Sequence, residues 1–150
     1  MKTQPGSPVH SAADEAEWQV SEYYPDDLRR TCRWKSLVGN GASWVGRVPQ
    51  KDVVMGILEL DAGGYYPAHA HPAPEIYYVT AGEAEWTVGE ETFTVRPGVA
   101  IYHAAHTPHR MVNKGSEPLR AIWFWWAPDG NAEVLSGKVY FTETPTKVIG

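Results

Sequence analysis

Gly63-Gly-Tyr-Tyr-Pro-Ala-His-Ala-His-Pro-Ala-Pro-Glu-Ile-Tyr-Tyr-Val-Thr-Ala-Gly82 is the stretch on which the fold turns. It carries His69 and His71 with one residue between them, and Glu75 shortly after. On an extended chain, alternate side chains share a face, so the two imidazoles point the same way. Glu75 keeps their parity if the strand resumes after the Pro72-Ala73-Pro74 turn. Two imidazoles and a carboxylate on one interior face are ligands for a divalent transition metal such as Fe, Zn, Mn or Ni. His109, at the head of His109-Arg-Met-Val-Asn113, offers a third imidazole. The plain alternative is a histidine-rich strand pair whose rings are satisfied within the protein.

Tyr77 follows Glu75 by two positions, so the same alternation turns it inward beside the ligands and Tyr78 outward. A phenol near a divalent cation has its pKa lowered and can act as a general base. Packing is the competing role. Tyr65 and Tyr66, just ahead of the histidines, are further hydroxyl candidates for catalysis at a pocket rim. His103 and His106 read as residues of the mouth, as does Tyr102.

Outward from this stretch the chain is a succession of short apolar runs punctuated by turn residues. Strands are expected over 31–38, 43–48, 53–60, 76–80, 84–88, 91–95, 99–103, 110–112 and 119–126, with an outer one over 139–142. In the first, Cys32, Trp34 and Ser36 share one face, and Arg33, Lys35 and Leu37 the other. Gly39-Asn-Gly41, Gly89-Glu90 and Pro97-Gly98 are turn signals. Short strands at near-even spacing indicate an all-β sandwich or barrel. Trp123 and Trp125 fall on one face of a late strand, and Phe124 and Trp126 on the other. Such density of tryptophan, with Trp86 added, reads as core packing. A cage of indole faces around an onium group is the sharper alternative.

These residues resemble the cupin family. Gly63, His69, His71, Glu75 and Gly82 fall at the spacing of its first motif. In the second motif Gly98, His109 and Asn113 are on register, while Ala104 stands at the proline position and His106 at the second glycine. The resemblance implies a single-domain jelly-roll barrel, or double-stranded β-helix. One metal ion would be held by His69, His71, Glu75 and His109, and a homodimer formed. Within the family, the run His-x-His-Pro-Ala-x-Glu-Ile-Tyr-Tyr-Val and the following Gly-x-Ala-Glu-Trp resemble the cupin lyases of dimethylsulfoniopropionate. That implies a metal-assisted β-elimination from a small carboxylate, with a tyrosine removing the proton. An Fe(II)-dependent dioxygenase, an isomerase and a non-catalytic binder of small molecules remain the alternatives.

The remainder of the sequence bounds the reading. One domain is expected from 150 residues, enough for a core without staples. Residues 1–30 read as an N-terminal tail and short irregular arm, loose over 1–17 with a solvated His10 and a turn or short helix after Pro25. Residues 31–150 read as the barrel, without internal repeat. A net charge of −5 argues against nucleic acid and anionic membranes as partners. Cys32 is the single cysteine, so no internal disulfide forms. With no apolar run of membrane-spanning length and no signal-peptide core, a cytoplasmic location is expected.

Overall fold

The computed structural model describes residues 9–20, 31–39, 48–136 and 138–144. Its strands are β1 (Cys32–Gly39), β2 (Val48–Pro49), β3 (Val53–Leu60), β4 (Tyr65–Ala70), β5 (Glu75–Ala81), β6 (Ala84–Val88), β7 (Glu91–Val95), β8 (Ala100–His103), β9 (His109–Val112), β10 (Leu119–Trp126) and β11 (Tyr140–Phe141). One sheet runs in the order β2-β1-β3-β10-β5-β8 and the other β11-β4-β9-β6-β7. Successive strands alternate between the sheets from β3 to β6 and again from β7 to β11, and every pairing but β1 with β2 is antiparallel. This is the expected all-β jelly roll. Residues 40–41 of the expected turn, most of the strand expected at 43–48 and the turn or helix after Pro25 lie outside the described residues.

Register places the side chains in rows across the first sheet. Val54, Trp125, Glu75 and His103 form one row, and Gly56, Trp123, Tyr77 and Ile101 the next. Leu58, Ala121 and Val79 follow, then Leu60 beside Leu119. The barrel is thus graded along its axis. Leu58, Leu60, Leu119 and Val79 are at most 2% exposed at one end, and the titratable groups collect at the other. Each large aliphatic side chain so buried contributes about 1.5–3 kcal/mol relative to exposure, which makes the apolar end the anchor of the fold.

The motif residues that hold no ligand hold turns. Gly82 has φ of 77°, and a Cβ there would come within 2.3 Å of the Pro118 carbonyl oxygen, so a side chain is excluded on both counts. Asn113 is fully buried. Its Nδ2 donates to the carbonyls of Leu60 and Glu117, and its Oδ1 accepts from the Gly115 amide, tying the β9–β10 loop to β3.

The N-terminal segment is not loose where it is described. Lys35 Nζ donates to the Ala13 carbonyl at 2.6 Å, and Ser11 Oγ to that of Leu37 at 2.8 Å. Trp18 lies under the cations of Lys35 and Arg33, at 4.6 and 5.2 Å from the ring centre. Gln19 exchanges backbone hydrogen bonds with Trp34. The basic outer face of β1 is what captures the segment. His10 is exposed, as expected.

Candidate metal centre

His69 is the last residue but one of β4, His71 lies just beyond it, Glu75 opens β5 and His109 opens β9. All four are at most 2% exposed. The ring nitrogens of His69, His71 and His109 include one from each ring that all lie within 4.8 Å of one another. Their orientation comes from local hydrogen bonds. His69 Nδ1 lies 2.7 Å from the Pro67 carbonyl, His71 Nδ1 2.8 Å from that of Ala73 and His109 Nδ1 3.0 Å from that of Thr107. A carbonyl only accepts, so each Nδ1 carries the proton and each Nε2 keeps its lone pair. That is the tautomer a metal requires, fixed by the backbone before any ion arrives.

Glu75 Oε1 is 3.1 Å from the Nε2 atoms of both His71 and His109. Lone pairs facing a carboxylate oxygen at that range repel unless a proton or a cation lies among them. His109 Nε2 is moreover buried and without a hydrogen-bond partner. Two donors bonded to one ion at about 2.1 Å sit roughly 3.0–3.4 Å apart, near the 3.1 Å between Glu75 Oε1 and the Nε2 atoms of His71 and His109. The cluster of His69, His71 and His109, with the Glu75 carboxylate beside it, is therefore a set of donors that could hold a metal ion.

Electrostatics follow the same logic. Burial alone would raise the Glu75 carboxyl; without an ion, a proton taken up on the facing Nε2 of His109 or His71 occupies the place of the cation, outweighs burial and holds the carboxyl well below the usual carboxylate range. Burial first, and then His109, push His69 well below the ordinary imidazole value, so it stays neutral and able to ligate. Trp125 adds a brace that the sequence did not single out. Its indole Nε1 donates to Glu75 Oε2, and its ring stacks on His71 with centroids 4.1 Å apart. Tyr66 stacks on His69 at 3.8 Å.

His103 is not at the mouth: it is fully buried behind the ligands. Its Nε2 accepts from Trp86 Nε1 at 3.0 Å and its Nδ1 faces the Glu75 carbonyl at 3.3 Å, so neither nitrogen is left for a metal. Burial, reinforced by His109, lowers it to about 3. His106 is exposed, with φ of 62° and its Nδ1 3.0 Å from the Tyr140 hydroxyl. Tyr102 is 61% exposed on the outer face of the first sheet, away from any mouth.

The tyrosines separate. Tyr77 is 3% exposed and lines the interior cavity with Tyr66. Burial, followed by the charge of Glu75, raises its phenol well above the ordinary value in the metal-free protein. Tyr65 points to the opposite face of β4, where its hydroxyl donates to Glu143 and Arg110 covers its ring at 4.8 Å. Burial and then Glu143 raise it to about 12. The cause is a bulge between Tyr66 and His69 in the pairing with β9. Trp123 belongs to the buried core and Trp125 packs against it, and both also line the cavity, whereas Trp86 is wholly buried.

The Cupin domain family matches residues 56–125. Dimethylsulfoniopropionate lyase DddQ of Ruegeria pomeroyi is 33% identical over 101 residues, 67% of this chain and 48% of that protein. An uncharacterized protein of Streptomyces coelicolor is 30% identical over 90 residues, covering 60% of this chain and 85% of that one. Among solved structures, DddQ of Ruegeria pomeroyi superposes with a TM-score of 0.71 at 26% identity, over 86% of this chain and 62% of that one. The chain belongs to the cupin family. Within it, the chain is similar to the dimethylsulfoniopropionate lyases, and it spans about half the length of the curated lyase it matches. Among the described residues no helix is long and apolar enough to cross a membrane.

Proposed function

We propose that this protein is a metal-dependent lyase that eliminates a leaving group from the carbon β to a substrate carboxylate, in the manner of the dimethylsulfoniopropionate lyases. The observation that carries the reading is the set of three imidazoles, locked as Nδ1–H tautomers around the Glu75 carboxylate, next to a buried phenol lining the same cavity. His69, His71, Glu75 and His109 would hold the ion. When bound, it supplies Lewis acidity toward the substrate carboxylate and a positive charge opposing the effect of Glu75 on Tyr77. With that charge in place Tyr77 gives up its phenolic proton to water, and the phenolate then takes the proton from the carbon next to the carboxylate. The freed electron pair becomes the new carbon–carbon double bond, and the bond to the leaving atom breaks with its pair departing on that atom. For a sulfonium substrate the products are a neutral sulfide and an unsaturated acid. Tyr77 then returns its proton to water. Trp123 and Trp125 offer indole faces to a sulfonium or ammonium tail, worth on the order of 0.5–2 kcal/mol over a neutral group.

Gas-phase detection of dimethyl sulfide from the metal-loaded protein and dimethylsulfoniopropionate tests the reaction. Release that disappears with chelator and with Tyr77→Phe supports it. Absence of sulfide together with oxygen consumption would replace it by the dioxygenase reading. A thermal-shift panel pairing each onium carboxylate with its neutral analogue tests the tail, and equal shifts within every pair would remove the onium preference.

A further inference from the structure

The cavity does not stop at the metal centre. It has a volume of about 390 Å³, within the range of sites for whole organic ligands. Glu75, His69 and Tyr77 line one end; Ser36, Gln19 and Trp34 line it as well. Register separates these groups. Ser36 pairs with Gly56, which pairs with Trp123, which pairs with Tyr77, so three strand spacings, roughly 14 Å, lie between β1 and β5. A short zwitterion held at the metal centre would leave the β1 end untouched.

That end is polar and built. Ser36 is 6% exposed, and its hydroxyl makes one long contact, 3.4 Å, to Gln19 Oε1. Gln19 is held by the arm's paired backbone hydrogen bonds with Trp34, of 2.7 and 3.0 Å. On the wall between the ends, the Trp123 Nε1 is buried with no hydrogen-bond partner. An unpaired buried donor is costly, and an acceptor from a ligand relieves it. Among the described residues lining the cavity there is no lysine or arginine, so the far end suits a neutral group and not a second anion.

We infer that Ser36 and Gln19, with the Trp123 N–H beside them, form a second recognition point for a neutral oxygen-bearing group. The ligand is then a monocarboxylate whose chain crosses from the metal centre to β1 and ends in a hydroxyl or carbonyl-type oxygen. This rests on the reading that the metal centre takes the substrate carboxylate. The N-terminal arm becomes part of the binding site through Gln19.

Isothermal titration of the zinc-loaded protein with propionate, octanoate and ω-hydroxyoctanoate tests the inference, in the wild type and in Ser36→Ala and Gln19→Leu. The expected result is that ω-hydroxyoctanoate binds tighter than octanoate by about fivefold, the worth of one net hydrogen bond. That ratio should fall toward one in both variants while octanoate itself changes little. Gln19→Leu alters only the arm, so it decides the matter if Ser36→Ala fails to fold. Equal binding of the two long acids, a preference that survives both substitutions, or binding of propionate alone would overturn the far-end site and leave the metal-centre reading standing. Binding of no carboxylate, or the same binding after chelation, would overturn the carboxylate reading itself and the inference with it.

Discussion

Replacing Trp125 with phenylalanine isolates one hydrogen bond at the metal centre. The indole Nε1 donates to Glu75 Oε2, while Oε1 faces His71 and His109. The donor therefore reserves one carboxylate oxygen and leaves the other to the ion. Phenylalanine keeps an aromatic ring for the stack on His71, now 4.1 Å between centroids, but removes the N–H. A hydrogen bond to a charged group is worth about 1.5–3 kcal/mol, and loss of a group that orients a metal ligand lowers affinity about 10- to 100-fold. The two figures agree, since a hundredfold is about 2.7 kcal/mol. The assay is competition for zinc or cobalt against a chelator of known affinity, with the absorption spectrum of the cobalt-loaded protein as a second readout. Expected are weaker binding in that range and a changed cobalt spectrum as the freed carboxylate rotates. Affinity within twofold of wild type, with an unchanged spectrum, would refute the claim that the indole sets the pose of Glu75.

Metal analysis should find about one divalent ion per chain, and none in a His69→Ala/His71→Ala double variant, because two of the four donors are gone. Tyr77→Phe should lose roughly two to four orders of magnitude in turnover with normal metal content if Tyr77 is the base; near-wild-type turnover returns it to packing. Thermal unfolding of the metal-free protein should show stability falling as pH drops below about 6.5, the ordinary imidazole value. The sign comes from His103 at about 3 and His69, also lowered: the unfolded chain binds protons in that window and the folded one does not. Glu75 acts in the same direction only at lower pH, because an ordinary carboxyl takes up its proton near 4.5. His103→Gln should flatten the fall between about pH 6.5 and 4; an unchanged slope would exclude His103 as its source.

The histidine cluster was legible because the spacing of His69 and His71 matches the periodicity of the backbone that carries them. His69 and His71 share parity at the end of β4, Glu75 opens β5 after the turn at 72–74, and His109 stands on the strand paired with β4. The strands themselves were legible from their turn residues: 53–60, 84–88, 91–95 and 119–126 are bounded by them and end where expected. Residues whose placement depends on a partner strand were harder to place. Simple alternation gives Tyr65 the face of His69. The extra residue between Tyr66 and His69, visible only against β9, reverses this and sends Tyr65 to Glu143. Nothing in Tyr-Tyr-Pro-Ala-His announces that bulge.

His103 and Trp125 were missed for a related reason. Each is defined by a partner distant in sequence. Trp86 supplies the proton donor that closes His103 to metal, and Glu75 is the acceptor that makes Trp125 more than an apolar wall. From sequence an isolated histidine near a turn looks solvent-facing, and a tryptophan-rich strand looks like core. What distinguishes the actual roles is the row in which Trp125, Glu75 and His103 sit side by side on three neighbouring strands. That row also explains why the polar end of the barrel tolerates so much buried polarity. Among the described residues the buried side-chain atoms without a hydrogen-bond partner are His109 Nε2, at the place of the ion, and the Trp123 N–H on the cavity wall, and it is at the latter that a ligand has most to add.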